Sequence, residues 1–293
     1  MQSASPVRMF LRCWGARGTC PSPGVDTVRY GGNTPCLEVR TSDGHVMVLD
    51  AGTGIRALGM VLDAEAAHPS IHIFLSHRHG DHVQGLAHFA PLMRADYPVR
   101  IACGNADAAV LRAFVALLLS PPLFPFLDGV ARGLCAVDWN AEDGVPVGAT
   151  VAVRREAARH PGGAAIVVVR DAQGLALAYA PDNELSYASG DADVIAWRDA
   201  LATRLRGVKV LVHDATYRDA ELAAHVGWGH SSAEEATRFA LQCGAEQLVL
   251  FHHHPERRDD EIDGMVQRCR EIVVECGGEL RVIAAWEGMA LVV

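Results

Sequence analysis

Lysine is almost absent from this 293-residue chain: Lys209 stands alone, and arginine supplies the rest of the 26 basic residues. With 35 acidic residues the formal net charge is −9. That balance disfavours binding to long nucleic acid, which depends on neutralising many phosphates. It leaves room for a small anionic substrate held by local positive charge. The eight cysteines form no C-x-x-C pair, so they read as reduced, mostly buried thiols. Apolar runs are short. The longest, Ala113–Leu119, stops at Ser-Pro-Pro, far below the roughly 18 residues a membrane helix needs. The first 15 residues have neither a basic start nor an apolar stretch of signal-peptide length. No repeat period is present, and an apolar fraction of 50% excludes disorder. The expectation is a soluble, cytoplasmic protein with no membrane segment. Its length suffices for a sizeable core, and no linker divides it, so residues 1–293 read as one domain.

Short β-rich runs alternate with helical patterns throughout. Val7–Cys13, Cys36–Arg40, Val46–Leu49, Ile71–Leu75, Val99–Ala102, Ala165–Arg170, Leu175–Ala180, Val208–Val212, Gln247–Phe251 and Leu280–Ala284 read as strands. Several are apolar at nearly every position, as strands covered on both faces are. Ile55–Asp63, His82–Ala90, Asn105–Leu119, Asp191–Arg206, Ser232–Cys243 and Asp259–Cys276 read as helices. Ser232-Ala-Glu-Glu235 has the spacing of a capping box. The alternation predicts an α/β chain with helices outside the sheets. Ser120–Leu127 carries three prolines and reads either as a surface loop or as an apolar wall beside the active site.

Histidine is the unusual count, at 14. Ser76-His77-Arg78-His79-Gly80-Asp81-His82 follows the buried run Ile71–Leu75 directly. In extended chain alternate residues share a face, so His77 and His79 can enter one metal site. Asp81 and His82 follow a glycine, where the chain can turn, and can serve a second. Three imidazoles and a carboxylate without cysteine suit zinc, manganese or iron in a reactive rather than a structural site. Further ligands recur beside later strands: His160 before Ala165–Arg170, Asp182 after Leu175–Ala180, His213-Asp214 after Val208–Val212, and His252-His253-His254 after Gln247–Phe251. Ligand sites of α/β sheets lie beyond strand ends, so these groups can converge. Asp50-Ala-Gly-Thr-Gly54 reads as a tight strand-to-helix turn or a phosphate-binding loop. Arg17 in the first glycine loop and Arg78 inside the metal motif read as exposed arginines, with contact to an anion as the alternative.

The H-x-H-x-D-H motif followed by one histidine, one aspartate and a terminal histidine resembles the metallo-β-lactamase superfamily. Leu211-Val-His-Asp-Ala-Thr-Tyr217, Gly229-His230-Ser-Ser-Ala233 and Leu248-Val-Leu-Phe-His252 are similar to motifs of its tRNase Z branch. That branch includes phosphodiesterases such as the phosphoribosyl cyclic phosphate enzyme. Tyr30-Gly-Gly-Asn-Thr34 and the loop at Asp50 also look like bacterial members. The resemblance implies a four-layer αβ/βα sandwich with two divalent metal ions at one edge, zinc or manganese, with iron a third candidate. By matching position, His77, His79 and His160 hold one ion, Asp81, His82 and His252 the other, and Asp182 bridges both. The three consecutive histidines leave the register of the last ligand open among His252, His253 and His254.

The same resemblance implies hydrolysis of a small, cyclic phosphodiester by a hydroxide held between the metals. Asp81 would orient that hydroxide, His230 would act as acid, and Asp214 would orient His230. The alternatives are another hydrolase on the same fold (thioesterase, lactonase or β-lactamase-like) and tRNA 3′ processing, which the acidic charge disfavours. Homodimers are common in the branch.

Overall fold

The structure, a computed structural model, describes residues 9–94, 97–120, 123, 134–139 and 144–293. The first half of the chain builds β1 (Phe10–Gly15), β2 (Cys36–Arg40), β3 (Val46–Leu49), α1 (Ile55–Asp63), β4 (Ile71–Leu75), α2 (Gly80–Val83), β5 (Val99–Cys103), α3 (Ala108–Leu118) and β6 (Leu134–Ala136). The second half builds β7 (Val145–Val147), β8 (Val151–Ala158), β9 (Ala164–Asp171), β10 (Gly174–Ala180), α4 (Ala192–Arg204), β11 (Val210–Asp214), α5 (Asp219–Leu222), α6 (Ala233–Cys243), β12 (Gln247–Phe251), α7 (Asp259–Glu275) and β13 (Arg281–Ala284). A last strand, β14 (Ala290–Val292), crosses back to pair with β1.

Among the described residues the strands form two seven-stranded sheets, in the orders β14-β1-β2-β3-β4-β5-β6 and β13-β12-β11-β10-β9-β8-β7. The sheets face each other. Leu37, Met47 and Phe74 of the first meet Tyr179, Val212 and Phe251 of the second in one buried cluster. The outer face of the first sheet (Val46, Ile73, Val99) is covered by Leu58 of α1 and Leu111 and Val115 of α3. The outer face of the second (Ile166, Leu211, Leu248) is covered by Leu201 of α4, Phe239 of α6 and Ile262 and Met265 of α7. The layers therefore run αβ/βα, the expected sandwich. Strands buried on both faces explain why β4, β12 and the first three residues of β11 are apolar almost throughout.

Each sheet has a parallel run, β3 to β6 and β10 to β13. The carboxyl ends of these runs emerge at one edge of the sandwich, where the loops after β3, β4, β10, β11 and β12 meet. Among the described residues no helix is long and apolar enough to cross a membrane. All eight cysteines are free, with Cys20, Cys135 and Cys276 exposed and five buried.

The structure departs from the sequence reading in several places. Residues 82–90 do not form one helix: α2 ends at Val83 and two 3-10 turns follow, Leu86–His88 and Ala90–Met93. Gly85 abuts the backbone of Gly52, and Pro91 has no amide to continue the ladder. Strands β6, β7, β8 and β14 were not anticipated, because β8 carries Arg154, Arg155 and Glu156 and the others are three residues long. Strand β1 begins at Phe10, residues 1–8 being outside the described set. Ser232 caps α6 by accepting Glu235 N–H at 2.9 Å, but the Glu235 carboxylate accepts from Tyr187 N–H instead of closing the box. The segment 120–127 lies outside the described residues apart from Ser120 and Leu123.

The loop after β3 is a tight turn whose amides are already spent. Ala51 N–H donates to His82 O, Gly52 N–H to Pro35 O, and Thr53 N–H to Thr34 Oγ1. A Cβ on Gly85 would lie 2.0 Å from Gly52 O. We therefore expect Gly85→Ala to cost about 2 kcal/mol or more by overpacking and to lower Tm by roughly 5 °C, read by thermal unfolding. An unchanged Tm would show that this contact does not hold the loop against α2.

Candidate metal centre

The ligand-bearing loops exist because strands end there. His77 and His79 leave β4 in extended chain, then Gly80 starts α2 and turns Asp81 and His82 back toward the same point. Asp182 follows β10, and His252 follows β12. His160 precedes β9, in the turn before Gly162 and Gly163. His77, His82, His252 and Asp182 are almost wholly buried.

These side chains converge. The ligand atoms of His77, His79, His160 and Asp182 all lie within 4.8 Å of one another, as do those of Asp81, His82 and His252, and those of Asp182, His230 and His252. Asp182 divides its oxygens between the first two groups. Its Oδ2 is 3.6 Å from His77 Nε2 and 3.5 Å from His160 Nε2, while its Oδ1 is 3.0 Å from His82 Nε2 and 3.4 Å from His252 Nε2. Asp81 Oδ2 lies 3.3 Å from His82 Nε2 and 3.2 Å from His252 Nε2. The three consecutive histidines separate cleanly. His252 points into the cluster, His253 Nε2 donates to Ala285 O at 2.9 Å, and His254 packs near Tyr217.

Four of the five imidazoles, those of His77, His82, His160 and His252, are held from behind in the tautomer that frees the inner nitrogen. His82 Nδ1–H donates to Asp50 Oδ2 at 2.8 Å, and His160 Nδ1–H to Gly229 O at 3.0 Å. The Thr216 hydroxyl has one hydrogen, and Asp214 Oδ1 at 2.7 Å takes it. Thr216 Oγ1 then accepts from His252 Nδ1–H at 3.0 Å, which leaves His252 Nε2 unprotonated. His77 Nδ1 lies 3.0 Å from Ser76 Oγ. A fixed outer nitrogen and a bare inner one is the arrangement of metal-binding histidine.

The residues fit divalent cations. Buried His77 Nε2, His82 Nε2 and Asp182 Oδ1 have no hydrogen-bond partner, which is costly unless something else satisfies them. The spacings of 3.0 to 3.6 Å within the cluster match the edges of about 3.4 Å expected around an ion some 2.1 Å from each ligand. The electrostatics agree. Burial raises the Asp182 carboxyl, but His252, His82 and His77 outweigh it and hold the group well below the usual range. Burial also opposes charge on His82, yet Asp182, Asp50 and Asp81 push its pKa well up. Buried carboxylates crowd this cluster and demand positive charge.

Asp214 and His230 form a pair beside it. His230 Nδ1–H donates to Asp214 Oδ2 at 2.7 Å, and the His230 ring stacks on His252 at 4.9 Å. Asp214 is fully buried and also accepts from Thr216 N–H and Asn183 N–H. Burial lowers the His230 pKa, but the Asp214 charge prevails and pushes it up to about 9.

Four findings lay beyond the sequence reading or departed from it. Asp50 accepts from Ser76 N–H, Ser76 Oγ–H, His82 Nδ1–H and Tyr179 O–H, though it read only as the first residue of a turn. Thr216 orients His252 as described above. Arg17, read as exposed, is fully buried and donates to the carbonyls of Gly31, His254 and Arg257. Arg78 is half-buried, with Nε donating to Asn105 Oδ1 at 3.2 Å. A charged residue ending an all-buried strand was the available signal for Asp50; nothing local marked Arg17.

Comparison with known proteins gives a consistent picture. The family model described as "Beta-lactamase superfamily domain" matches residues 45–253. An uncharacterized protein of Mycobacterium bovis is 30% identical over 223 residues, 74% of this chain and 73% of that one. A ribonuclease Z of Bacteroides fragilis is 35% identical over 82 residues, but the match spans only 28% of this chain and 26% of that protein. Among solved structures, the metallo-beta-lactamase fold protein YhfI of Bacillus subtilis superposes with a TM-score of 0.71 at 16% identity, covering 98% of this chain and 100% of that one. A new diphosphatase from the PhnP family gives 0.65 at 15% identity, covering 98% and 97%.

Asp50→Asn keeps the shape of the side chain but removes the charge behind His82. We expect affinity for Zn2+ or Mn2+ to fall by roughly 10- to 100-fold, measured by competition with a chromogenic chelator. Unchanged affinity would separate Asp50 from the centre.

Proposed function

The chain belongs to the beta-lactamase superfamily, and on that premise we propose that it is a metal-dependent hydrolase of small phosphodiesters, working within one domain. The observation that carries this reading is the Asp214–His230 pair at 2.7 Å, facing a cage of histidines and aspartates. His77, His79, His160 and Asp182 would hold one divalent cation, and Asp81, His82, His252 and Asp182 a second. When bound, two such ions supply electrophilic charge that attracts a phosphate monoanion and eases ionisation of water near neutral pH.

The chain's own residues do the rest. Asp81, fixed by Thr19 N–H at 2.8 Å, is placed to orient the attacking water. His230, whose Nδ1–H is committed to Asp214, offers its Nε2 proton to the departing alkoxide. Asp214 keeps that proton in place before the substrate arrives. A pair of this kind suits an alkoxide leaving group, which must be protonated; the thiolate of a thioester leaves without such help.

Small substrates are favoured over tRNA by the net charge of −9. The ribonuclease Z likeness spans about a quarter of that relative and does not carry its substrate across. The named diphosphatase among the fold neighbours supports phosphorus chemistry as a class.

The test is hydrolysis of methyl phenyl phosphate, whose phenolate is basic enough to gain from a proton donor, by protein loaded with Zn2+ or Mn2+. His230→Ala is expected to lower kcat by roughly 100- to 10,000-fold, and Asp81→Asn to abolish turnover. Since His230 acts in its protonated form, the rate must fall as pH rises through its pKa. That alkaline limb lies at or below about 9, because bound cations neutralise Asp81 and Asp182. Asp214→Asn removes the charge that raises the pKa, so its limb moves to lower pH. An Asp214→Asn limb that stays in place, or a His230→Ala variant with full activity, would remove His230 as the acid. Full metal loading with no diester cleaved would shift the reading to thioester or lactone hydrolysis.

A further inference from the structure

What the diester carries is written beside His230. A cavity of about 650 Å3 opens there, lined by His230 with Arg159, Tyr187, Leu222, Val226 and Glu235. The His230 ring is also 4.9 Å from His252 and 5.2 Å from His160, so one imidazole borders both the cage and the cavity. If His230 protonates the leaving oxygen, the group attached to that oxygen lies in this cavity.

The wall is fixed by one buried carboxylate. Glu184 accepts Gly227 N–H at 3.0 Å, Gly229 N–H at 2.8 Å and Ser186 Oγ–H at 2.8 Å. Gly227 and Gly229 have φ of 83° and 85°, conformations that side-chain-bearing residues rarely adopt. Gly229 O in turn accepts from His160 Nδ1–H. The cavity wall and the cage are therefore one rigid piece.

The charged groups lining the cavity are largely spent on the protein. Glu184 is saturated, as just described. Asp219 accepts from Ser232 Oγ–H and from Arg238 Nη2–H at 2.9 Å, which commits Arg238 as well. Glu235 accepts Tyr187 N–H, and its other oxygen is closed off from solvent. Asp191, at the rim, caps α4. Arg159 differs. It is half-buried, lies 5.6 Å over the Trp197 ring, and its guanidinium makes one hydrogen bond, from Nη1 to Glu184 O at 3.2 Å. Of its five N–H donors, those on Nε and Nη2 have no acceptor among the described residues.

We propose that this cavity receives the leaving alcohol of the diester and that Arg159 selects alcohols bearing an anionic group, a carboxylate or a phosphate. The inference rests on the phosphodiesterase reading. Leu222, Val226 and Tyr187 cover the carbon skeleton of that alcohol, and the guanidinium takes its anion in a two-pronged contact. In the reaction, water adds to phosphorus, the P–O bond to the alcohol breaks, and the alkoxide takes the His230 proton. A water proton restores His230, so that diester and water give monoester and alcohol.

The experiment compares three methyl aryl phosphodiesters with metal-loaded protein: 4-carboxyphenyl, 4-phosphonophenyl and the neutral 4-carbamoylphenyl ester. Their intrinsic reactivities cancel when the kcat/KM ratio of anionic to neutral ester is compared between wild type and variant. Arg159→Gln is expected to lower that ratio by about tenfold, the worth of one charge-assisted hydrogen bond, for whichever anion is preferred. Arg159→Lys should restore part of it. A folding defect would slow all three esters and leave the ratio alone. As a readout apart from turnover, the Kd of 4-hydroxybenzoate or 4-hydroxyphenylphosphonate, followed by tryptophan fluorescence, should rise about tenfold in Arg159→Gln. An unchanged ratio for both anions, with all esters cleaved, overturns this assignment alone. No cleavage of any ester by the wild type overturns the phosphodiesterase reading and this assignment with it.

Discussion

A carboxylate with no exposed surface, Asp50, is the constraint on which the rest of the centre depends. A buried charge without partners is costly, and one left half-satisfied is worse than an apolar residue. Asp50 is satisfied by four donors that come from the end of β4 (Ser76 N–H and Oγ–H), from α2 (His82) and from β10 (Tyr179). Tyr179 belongs to the second sheet, the others to the first. The two halves of the sandwich are thus pinned together behind the metal cage, and the pinning works only when His82 faces inward. The backbone contributes to this from its own side. Asp50 and His252 both have φ near +60°, at 59° and 58°, a conformation that costs about 1 kcal/mol or more for residues other than glycine. Both sit where a strand must stop and redirect its side chain within a single residue.

The parallel strand runs explain why ligands from both sheets converge. In a parallel run all carboxyl ends point the same way, so the loops after β3, β4, β10, β11 and β12 share an edge. Each loop contributes a short polar segment and little else. The apolar strands beneath supply rigidity, and the loops carry the chemistry. Cations placed in this cage would be held by groups whose outer atoms are already committed to the fold: His82 to Asp50, His160 to Gly229, and His252 to Thr216. Binding would then need little reorganisation, because the tautomers and ring orientations are set beforehand.

Legibility from sequence followed the range of the interaction. The ligands in 77–82 were visible because period-two geometry and one glycine explain their arrangement within six residues. Asp182, Asp214 and His252 were visible because each follows an unmistakable buried strand. The register among His252, His253 and His254 could not be read, since it turns on a single backbone conformation at His252. Asp50, Thr216 and Arg17 were missed or misread for a different reason. Their partners lie far along the chain, as with Arg17 and the carbonyl of Arg257, so no local pattern announces them. Strand β8, next to the edge strand β7, looks like a loop because Arg154, Arg155 and Glu156 hide the alternation. The break after Val83 follows from a contact between Gly52 and Gly85 that no helical periodicity encodes.

The division of labour around His230 suggests how this architecture can change substrate without changing chemistry. On one side the ring meets the cage, whose geometry is dictated by strand ends and buried carboxylates and tolerates little variation. On the other it meets a cavity built from the loops at 184–191 and 223–229. There Glu184 pins the glycine loop through the backbone amides of Gly227 and Gly229. Residues such as Leu222 and Val226 therefore line the wall without bearing its stability, and Val226 is largely exposed. Substitution at these positions would alter the shape offered to a leaving group while His160, held by Gly229 O, stays where it is. A rigid backbone carrying replaceable side chains allows specificity to drift independently of the reactive centre.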